Sequence, residues 1–355
     1  MRDVFGASVF YIVNVLLLPI TLLGYVIWVG KLLTVRASGV SGTAQGPLSA
    51  RFFQHRLGIR DDDAAGRLLT ALPNISPMGV RLFSAPMVLG HRVSGYVPRA
   101  FRYPFQGDVS PQYQASARVT FFDAAIERHL PAVHQFVILG AGFDTRAFRP
   151  PANGAVKCFE VDAPKTQAVK RAMLAKAGLD STGVTFVAAD FEEEDWLAKL
   201  VDAGLDSLKP ALFLWEGVSM YLRREAVEST LRRIASTARG SVVAFDYITT
   251  MPLESGGLYW RLARAGTSAG GEPLKFGIDS TPPSRDGLAA LLQSCGLTLV
   301  EQCTLGPETN GMRAWGGFAI ASVDSAALIL SPALRGSNTQ VVVEPHQRTP
   351  DGIGG

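Results

Sequence analysis

The chain has 355 residues, of which 47% are hydrophobic and 18% are charged, and its net charge is +3. So few charges exclude a largely disordered chain, and so small a net charge gives no sign of a nucleic-acid-binding protein. Three cysteines without a Cys-x-x-Cys pair exclude a disulfide scaffold and a thiolate zinc site, and we expect no metal.

The amino-terminal segment is apolar and carries no charge from Val4 to Gly30, a run of 27 positions. As a helix this run would extend about 40 Å, which exceeds a hydrocarbon core of about 30 Å. We therefore predict a single-pass transmembrane anchor over residues 1–33. The run is too long for a cleaved signal peptide and has no Ala-x-Ala site. An apolar helix packed on the protein's own surface is the remaining alternative. Lys31 and Arg36 follow the run, which favours a cytosolic body.

Three further segments have compositions that suggest their roles. Residues 34–50 are small, polar and glycine-rich, which is typical of a linker. Residues 51–116 show short helical patterns broken by Pro and Gly and no strand alternation, and we interpret them as a helical lid or substrate region. Residues 326–355 are polar and rich in Pro and Gly, and we expect a flexible tail.

Strands and helices alternate through residues 117–325, which we assign to one domain. Apolar strands are predicted at 135–139, 156–161, 184–189, 211–215 and 241–245, with amphipathic helices between several of them. Two adjacent strands at 298–302 and 317–322 indicate an antiparallel edge hairpin. This pattern predicts an α/β fold with a doubly wound, mostly parallel sheet.

The first two strands end in residues suited to a nucleoside. Gly140 and Gly142 lie directly after strand one, where glycines allow the backbone to approach a ligand closely, and Asp144 follows them. Glu160 and Asp162 end strand two, each twenty residues after one of the glycines. An acidic side chain at that spacing can accept hydrogen bonds from both hydroxyls of a ribose.

The next strand ends add an aromatic ring and two further carboxylates. Asp190 and Phe191 follow strand three, which suits an adenine ring, and Glu216 follows strand four. A dinucleotide-binding Gly-x-Gly-x-x-Gly motif would need glycine at the position of Thr145. So many carboxylates would repel a pyrophosphate but suit a sulfonium and an α-amino group. These features predict S-adenosylmethionine (SAM) as the cofactor.

Longer motifs carry a family resemblance over roughly residues 50–325. The string Val-Ile-Leu-Gly-Ala-Gly-Phe-Asp-Thr-Arg-Ala-Phe-Arg at 137–149 resembles the first motif of the leucine carboxyl methyltransferase-like, SAM-dependent methyltransferases. Further matches follow in the family's order at 117–123, 159–164, 190–191, 214–222 and 272–277. The resemblance implies a Rossmann-like class I methyltransferase sheet. Phe191 stands where the family more often has leucine, and the amino-terminal anchor departs from the soluble members.

The resemblance also implies roles for individual residues. Arg118 would pair with the methionine carboxylate of SAM, and Gly140 would pass close to the methionyl group. Asp162 would hold the ribose, with Glu160 sharing that work. In addition, Asp190 and Phe191 would flank the adenine, and Glu216 would face the amino group or the methyl region.

The acceptor is less well defined by the sequence. A carboxylate acceptor is ionised near neutral pH and needs no base, whereas a hydroxyl acceptor does. His91 is a candidate base, and Tyr221 is a candidate for orienting the acceptor. We expect an O-methyltransferase for a small, apolar metabolite with a hydroxyl or carboxyl group. The alternatives are a protein C-terminal carboxyl methyltransferase and a membrane module that binds SAM without catalysis.

Overall fold

The computed structural model describes residues 2–34, 42–148 and 156–323. The tail expected at 326–355 lies outside these residues. The helices are α1 (Arg2–Leu16), α2 (Leu18–Thr34), α3 (Gly42–Arg56), α4 (Asp63–Ala71), α5 (Pro77–Ser94), α6 (Gln114–His129), α7 (Pro164–Lys176), α8 (Trp196–Asp202), α9 (Arg224–Ala235), α10 (Met251–Glu254), α11 (Leu258–Ala269) and α12 (Ser284–Ser294). The strands are β1 (Gln135–Leu139), β2 (Lys157–Asp162), β3 (Val184–Ala188), β4 (Ala211–Trp215), β5 (Val242–Ile248), β6 (Thr298–Leu305) and β7 (Gly316–Ser322).

The seven strands form one mixed sheet in the order β3-β2-β1-β4-β5-β7-β6. The first five are parallel, and β7 runs antiparallel to both β5 and β6. The predicted doubly wound sheet and its antiparallel end are therefore confirmed. Strand β7 lies between β5 and β6, so β6 is the edge strand.

Both faces of the sheet are covered, which explains the continuous apolar runs of the central strands. Every residue of β1 and β4 is buried. On one face Val137 and Phe213 pack with Trp196 in the same core cluster. On the other face Phe136 lies in a cluster with Phe122 of α6. This burial fixes the neighbouring carboxyl ends of β2, β1 and β4 at one edge, where an open α/β sheet binds its ligands.

The single transmembrane helix expected over residues 1–33 is absent, because the chain forms two helices that meet at 63°. Pro19 is the physical cause. It has no N–H to donate to the carbonyl four residues earlier, and its ring clashes with that carbonyl. Helix α1 ends before Leu17, and Pro19 lies in the first turn of α2, where proline is tolerated. Within the described residues, no single helix is long and apolar enough to span a membrane, and only the two helices of this bent pair taken together have that length and composition.

The expected boundaries of the linker and the lid also differ from the structure. Residues 42–50, assigned to the linker, belong to α3, where Leu48 is buried with Leu68 of α4 in a third core cluster. Residues 51–116 are helical and contain no strand, as expected, but their boundary at 116 falls inside α6. Helix α3 is therefore part of the packed body, which brings it to the carboxyl edge of the sheet.

Candidate functional site

A cavity of about 250 Å³ opens at the carboxyl ends of β1, β2 and β4. Two of the predicted site residues, His91 and Glu160, do not line it. The other predicted residues on its wall are Arg118, Gly140, Gly142, Asp144, Asp162, Asp190, Phe191, Glu216 and Tyr221. Most of the residues predicted from the strand ends therefore lie in one cleft.

The turn after β1 depends on glycine at two positions. Gly140 has a φ of +63° and Gly142 a φ of +44°, in the left-handed region that side chains disfavour. A Cβ atom on Gly140 would lie 2.3 Å from Cγ2 of Val218, in the turn after β4. The absent side chain lets the two turns approach closely and leaves the backbone open to the cavity.

Asp162 is held in place by the backbone around it. Its Oδ2 accepts a 2.5 Å hydrogen bond from the Gly142 N–H, and its Oδ1 accepts a 2.7 Å bond from the Ala163 N–H. Burial raises the pKa of Asp162, while these two N–H donors oppose that rise. Each carboxylate oxygen keeps a further lone pair, so the side chain can still accept hydroxyl hydrogen bonds.

Phe191 and Asp190 form the neighbouring wall of the cavity. Phe191 is buried, and its ring centroid lies 6.2 Å from that of Trp196. Asp190 Oδ1 accepts a 2.8 Å hydrogen bond from the Glu192 N–H. An apolar ring with a fixed carboxylate beside it suits a flat heteroaromatic group with an exocyclic amine.

Asp144 and Glu216 belong to a buried ionic network. Arg146 Nη1 lies 2.6 Å from Asp144 Oδ2 and 2.5 Å from Glu216 Oε2, and Arg146 Nε lies 2.7 Å from Asp123 Oδ1. Burial opposes the charge of Arg146, but Asp144 and Glu216 raise its pKa well above the ordinary value. Burial raises the pKa of Asp144, but the nearby charges of Arg146 and Arg51 lower it by more. The net effect is a lowered pKa, so Asp144 stays ionised. The network ties β1, β4 and α6 together below the cavity.

Glu160 does not line the cavity and pairs with Lys170 of α7. Its Oε2 lies 2.6 Å from Lys170 Nζ, and both side chains are buried. Burial raises the pKa of Glu160 to about 7, although Lys170 opposes that rise. Glu160 is therefore placed to hold α7 on the sheet, and the structure does not bring it to a ribose.

These pairs correct the charge argument drawn from the sequence. Asp144, Glu160 and Glu216 are each compensated by a buried cation, so they do not make the cleft strongly negative. Asp144, Asp162 and Asp190 on the cavity wall each also accept a hydrogen bond from a backbone N–H group. The number of acidic strand ends in the sequence therefore overstates the negative charge of the cleft.

Arg118 lies on the cavity wall, as expected, and also pairs with a carboxylate that the sequence did not single out. Its Nη2 lies 2.7 Å from Oδ2 of Asp246, which is a residue of β5. Burial opposes the charge of Arg118, but Asp246 and Glu216 raise its pKa. Its buried Nε has no hydrogen-bond partner within the described part of the chain. One donor is thus left for an anionic group in the cavity.

Arg51 is a second charged residue of the site that sequence reasoning missed. It is almost completely buried, lines the cavity, and lies 3.6 Å from Asp144 and 3.8 Å from Glu216 through Nη1. Its Nε and Nη1 lack hydrogen-bond acceptors in residues 2–34, 42–148 and 156–323. The sequence around Arg51 contains no motif that would predict a role in the site. Arg51 reaches the strand ends only because α3 packs on the body.

Tyr221 and a hydrogen bond between Thr43 and Glu272 lie at the wall of the cavity. Tyr221 lines the cavity, and burial raises its pKa to about 12. Thr43 of α3 donates a hydrogen bond to Glu272, in the loop after α11. The two elements therefore meet across the mouth of the cavity.

His91 lies in the last turn of α5 and not on the cavity wall. Its Nδ1 lies 3.1 Å from the Tyr96 carbonyl oxygen. The expectation that His91 serves as a base at the acceptor therefore has no support in its position.

Comparison with known proteins agrees with this geometry. Residues 105–235 match the leucine carboxyl methyltransferase family. A protein of Mycolicibacterium smegmatis is 33% identical over 221 residues, which cover 61% of this chain and 70% of that protein. A second protein of that organism is 30% identical over 201 residues, or 56% of this chain and 60% of the relative. Both are named as SAM-dependent methyltransferases.

Other relatives are matched over a smaller share of their length. A Mycobacterium marinum protein of the same name is 34% identical over 187 residues, or 51% of this chain and 60% of that protein. The chain thus spans about three fifths of several curated relatives. Among solved structures, a DUF574 family protein from Streptomyces avermitilis has a TM-score of 0.40 and 15% identity, over 77% of this chain and 96% of that one. That likeness is too loose to bear on the site. From its sequence relatives, the chain belongs to the leucine carboxyl methyltransferase-like family of SAM-dependent methyltransferases.

Proposed function

We propose that the protein transfers the methyl group of SAM to a carboxylate oxygen of a small, apolar acceptor. The observation that carries the proposal is a pair of arginines, Arg51 and Arg118, on one cavity wall. Each has a buried donor nitrogen without a hydrogen-bond partner among the described residues. Arginine donors of this kind suit carboxylates. The proposed reaction would bring two carboxylates into the cavity, one from SAM and one from the acceptor.

The first carboxylate is that of the methionine moiety of SAM. Asp162 would hold the ribose hydroxyls, and Asp190 with Phe191 would flank the adenine. The methionyl group would then follow the glycine turn at Gly140 towards Arg118. Gly140 lines the cavity with a positive φ and no side chain, so its backbone is open to such a ligand.

The second carboxylate is that of the acceptor, which we assign to Arg51. Apolar side chains also line the cavity, among them Ala44 and Pro47 of α3 and Val218, whereas Asp144 and Glu216 flank Arg51 itself. These apolar side chains suit a hydrocarbon body attached to a carboxylate. Ala44, Pro47 and Val218 therefore support a small apolar metabolite more than the charged terminus of a protein.

The chemistry places few demands on the protein. SAM, when bound, supplies an electrophilic methyl carbon, and a carboxylate oxygen displaces the sulfur, which keeps the electron pair of the broken bond. No proton is transferred, so no general base is required. Tyr221, with its pKa raised to about 12, stays protonated and is suited to orienting the acceptor by donating a hydrogen bond. The main contribution of the cavity is alignment of the two groups.

The full chain with methyl-labelled SAM and a panel of apolar carboxylic acids and matched alcohols tests the proposal. A methyl ester releases its label as volatile methanol in mild alkali, whereas a methyl ether does not. We expect alkali-labile label on the carboxylic acids. Alkali-stable label on the alcohols would indicate a hydroxyl acceptor instead. Label found only on peptide carboxyl termini, or SAM binding without transfer, would support one of the two alternative functions.

A further inference from the structure

The outer face of the bent helix pair α1–α2 forms an exposed apolar platform. Fourteen large apolar side chains of these helices are exposed: Val4, Phe5, Tyr11, Ile12, Val15, Leu16, Leu18, Ile20, Leu22, Leu23, Tyr25, Val26, Leu32 and Leu33. The largest apolar patch of a typical monomer covers about 300–600 Å². Fourteen such side chains exceed this area, so the platform requires a partner.

The inner face of the pair is already occupied, which fixes the direction of the platform. A Cβ on Gly24 of α2 would lie 2.2 Å from the Phe83 backbone nitrogen of α5, and one on Gly79 would lie 2.7 Å from the Trp28 nitrogen. A Cβ on Gly90 would meet Asn14 of α1 at 2.7 Å. Small residues thus let both helices lie close along α5. The pair is packed lengthwise on the body and does not project from it.

The lengths of the helices favour an orientation parallel to a membrane surface. Helices of 15 and 17 residues extend about 22 and 26 Å, each shorter than a hydrocarbon core of about 30 Å. The two helices are bent by 63° relative to each other, and both pack on α5, whose 18 residues extend about 27 Å. Tyr11 and Tyr25 lie exposed on the platform, and tyrosine prefers the membrane–water interface.

The charges around the platform are complementary to an anionic surface. Lys31 at the end of α2 and Arg81 and Arg92 on α5 are exposed. Asp3 is the single acidic residue in α1, α2 and α5. Basic side chains beside an apolar face strengthen the binding of a helix to anionic lipids. A second copy of this chain would bring the same positive charges together.

We propose that the α1–α2 platform docks in the plane of an anionic lipid bilayer without crossing it. The platform lies close to the active cleft. Trp28 of α2 contacts Phe53 of α3 with ring centroids 6.5 Å apart, and Pro47 of α3 lines the cavity. Six residues of helix separate Phe53 from Pro47, which is about 9 Å. Docking would hold the cavity wall beside the lipid in which apolar acceptors concentrate.

Vesicle flotation of the full chain tests the partner. Leu22 and Val26 are 53% and 65% exposed on the platform, and Leu208 is 86% exposed on the body. We expect L22E/V26E to lower the fraction bound to phosphatidylglycerol-containing vesicles at least tenfold, and L208E to leave it unchanged. R81E/R92E should abolish the preference for these vesicles over phosphatidylcholine. Equal flotation of L22E/V26E and the parent chain would overturn the proposal. So would a dimer of the parent chain that the L22E/V26E substitutions dissociate and L208E does not.

A labelling experiment distinguishes docking from crossing. Asp3 is at the start of α1, and Asp202 is an exposed residue of the body. Each variant, D3C or D202C, is expressed and recovered in inverted membrane vesicles. A membrane-impermeant maleimide is then added to label the introduced cysteine where it is accessible from outside the vesicle. In-plane docking predicts that both cysteines react without detergent. Reaction of D202C alone, with D3C reacting only after detergent, would show a crossing and refute in-plane docking.

Discussion

The Gly142 backbone N–H donates a 2.5 Å hydrogen bond to Oδ2 of Asp162, twenty residues further along the chain. This bond joins the turn after β1 to the end of β2. It fixes the carboxylate at the cavity wall while leaving lone pairs on both oxygens. The glycine turn and the acidic strand end, which the sequence shows as separate signals, therefore act as one unit.

Asp162→Ala should weaken SAM binding by about a hundredfold or more. Two charge-assisted hydrogen bonds to ribose hydroxyls are worth about 1.5–3 kcal/mol each, and 1.4 kcal/mol corresponds to tenfold in affinity. Titration calorimetry measures the effect, with the thermal midpoint as a check on folding. Unchanged SAM affinity in a folded Asp162→Ala variant would remove this carboxylate from the cofactor site.

Glu160→Gln is the matched control, because it should affect stability and not binding. Loss of the carboxylate strands the buried Lys170 ammonium, at a cost of about 3–5 kcal/mol of unfolding free energy. The SAM dissociation constant should stay within about threefold of the parent value. Urea denaturation and calorimetry measure the two quantities. A Glu160→Gln/Lys170→Met variant should recover stability, and a selective loss of SAM affinity would contradict the assignment.

Gly140→Ala should destabilise the turn and reduce SAM affinity. Its positive φ costs a side chain about 1–3 kcal/mol, and the new Cβ would clash with Val218. Adding Val218→Ala should recover part of the loss by removing the clash, but not the backbone strain. Gly183→Ala is the control, since a Cβ there meets no atom within 4 Å. Thermal melts and calorimetry compare the variants, and equal stability of Gly140→Ala and Gly183→Ala would count against the clash.

Arg51→Gln and Arg118→Gln should affect different substrates. We expect Arg118→Gln to raise the SAM dissociation constant about tenfold or more, and Arg51→Gln to raise the acceptor KM with SAM binding nearly unchanged. Initial-rate kinetics combined with calorimetry separate the two effects. If both variants lose SAM affinity and neither changes the acceptor KM, the second arginine binds the cofactor, and the carboxylate acceptor loses its main support.

The pH profile reports whether a base takes part. Burial raises the pKa of Tyr221 to about 12, so its phenol stays protonated below that value and cannot accept a proton near neutral pH. A carboxylate acceptor is ionised above about pH 5. We expect kcat/KM to be flat between pH 7 and 10, with Tyr221→Phe lowering it without changing the shape of the profile. A tenfold rise for each pH unit would indicate a hydroxyl acceptor that must lose its proton.

The sequence determined the sheet and the strand-end residues, because both follow from local rules. Apolar runs such as Gln135–Leu139 are buried on both faces, and the residues that follow them must lie at one edge of a parallel sheet. Gly140, Asp162 and Phe191 were found in this way. The sequence also indicated the apolar character of residues 4–30.

Only the tertiary structure decided which charged groups face the cavity. Glu160 and Asp162 are two residues apart on β2, yet Lys170 compensates the first and backbone N–H groups hold the second. Arg51 reaches the cleft because α3 packs on the body, a long-range contact that no local pattern encodes. The small residues Gly24 and Gly79 direct α1 and α2 along α5. Periodicity and spacing are local properties of a chain, whereas ion pairing and helix docking depend on segments far apart in sequence.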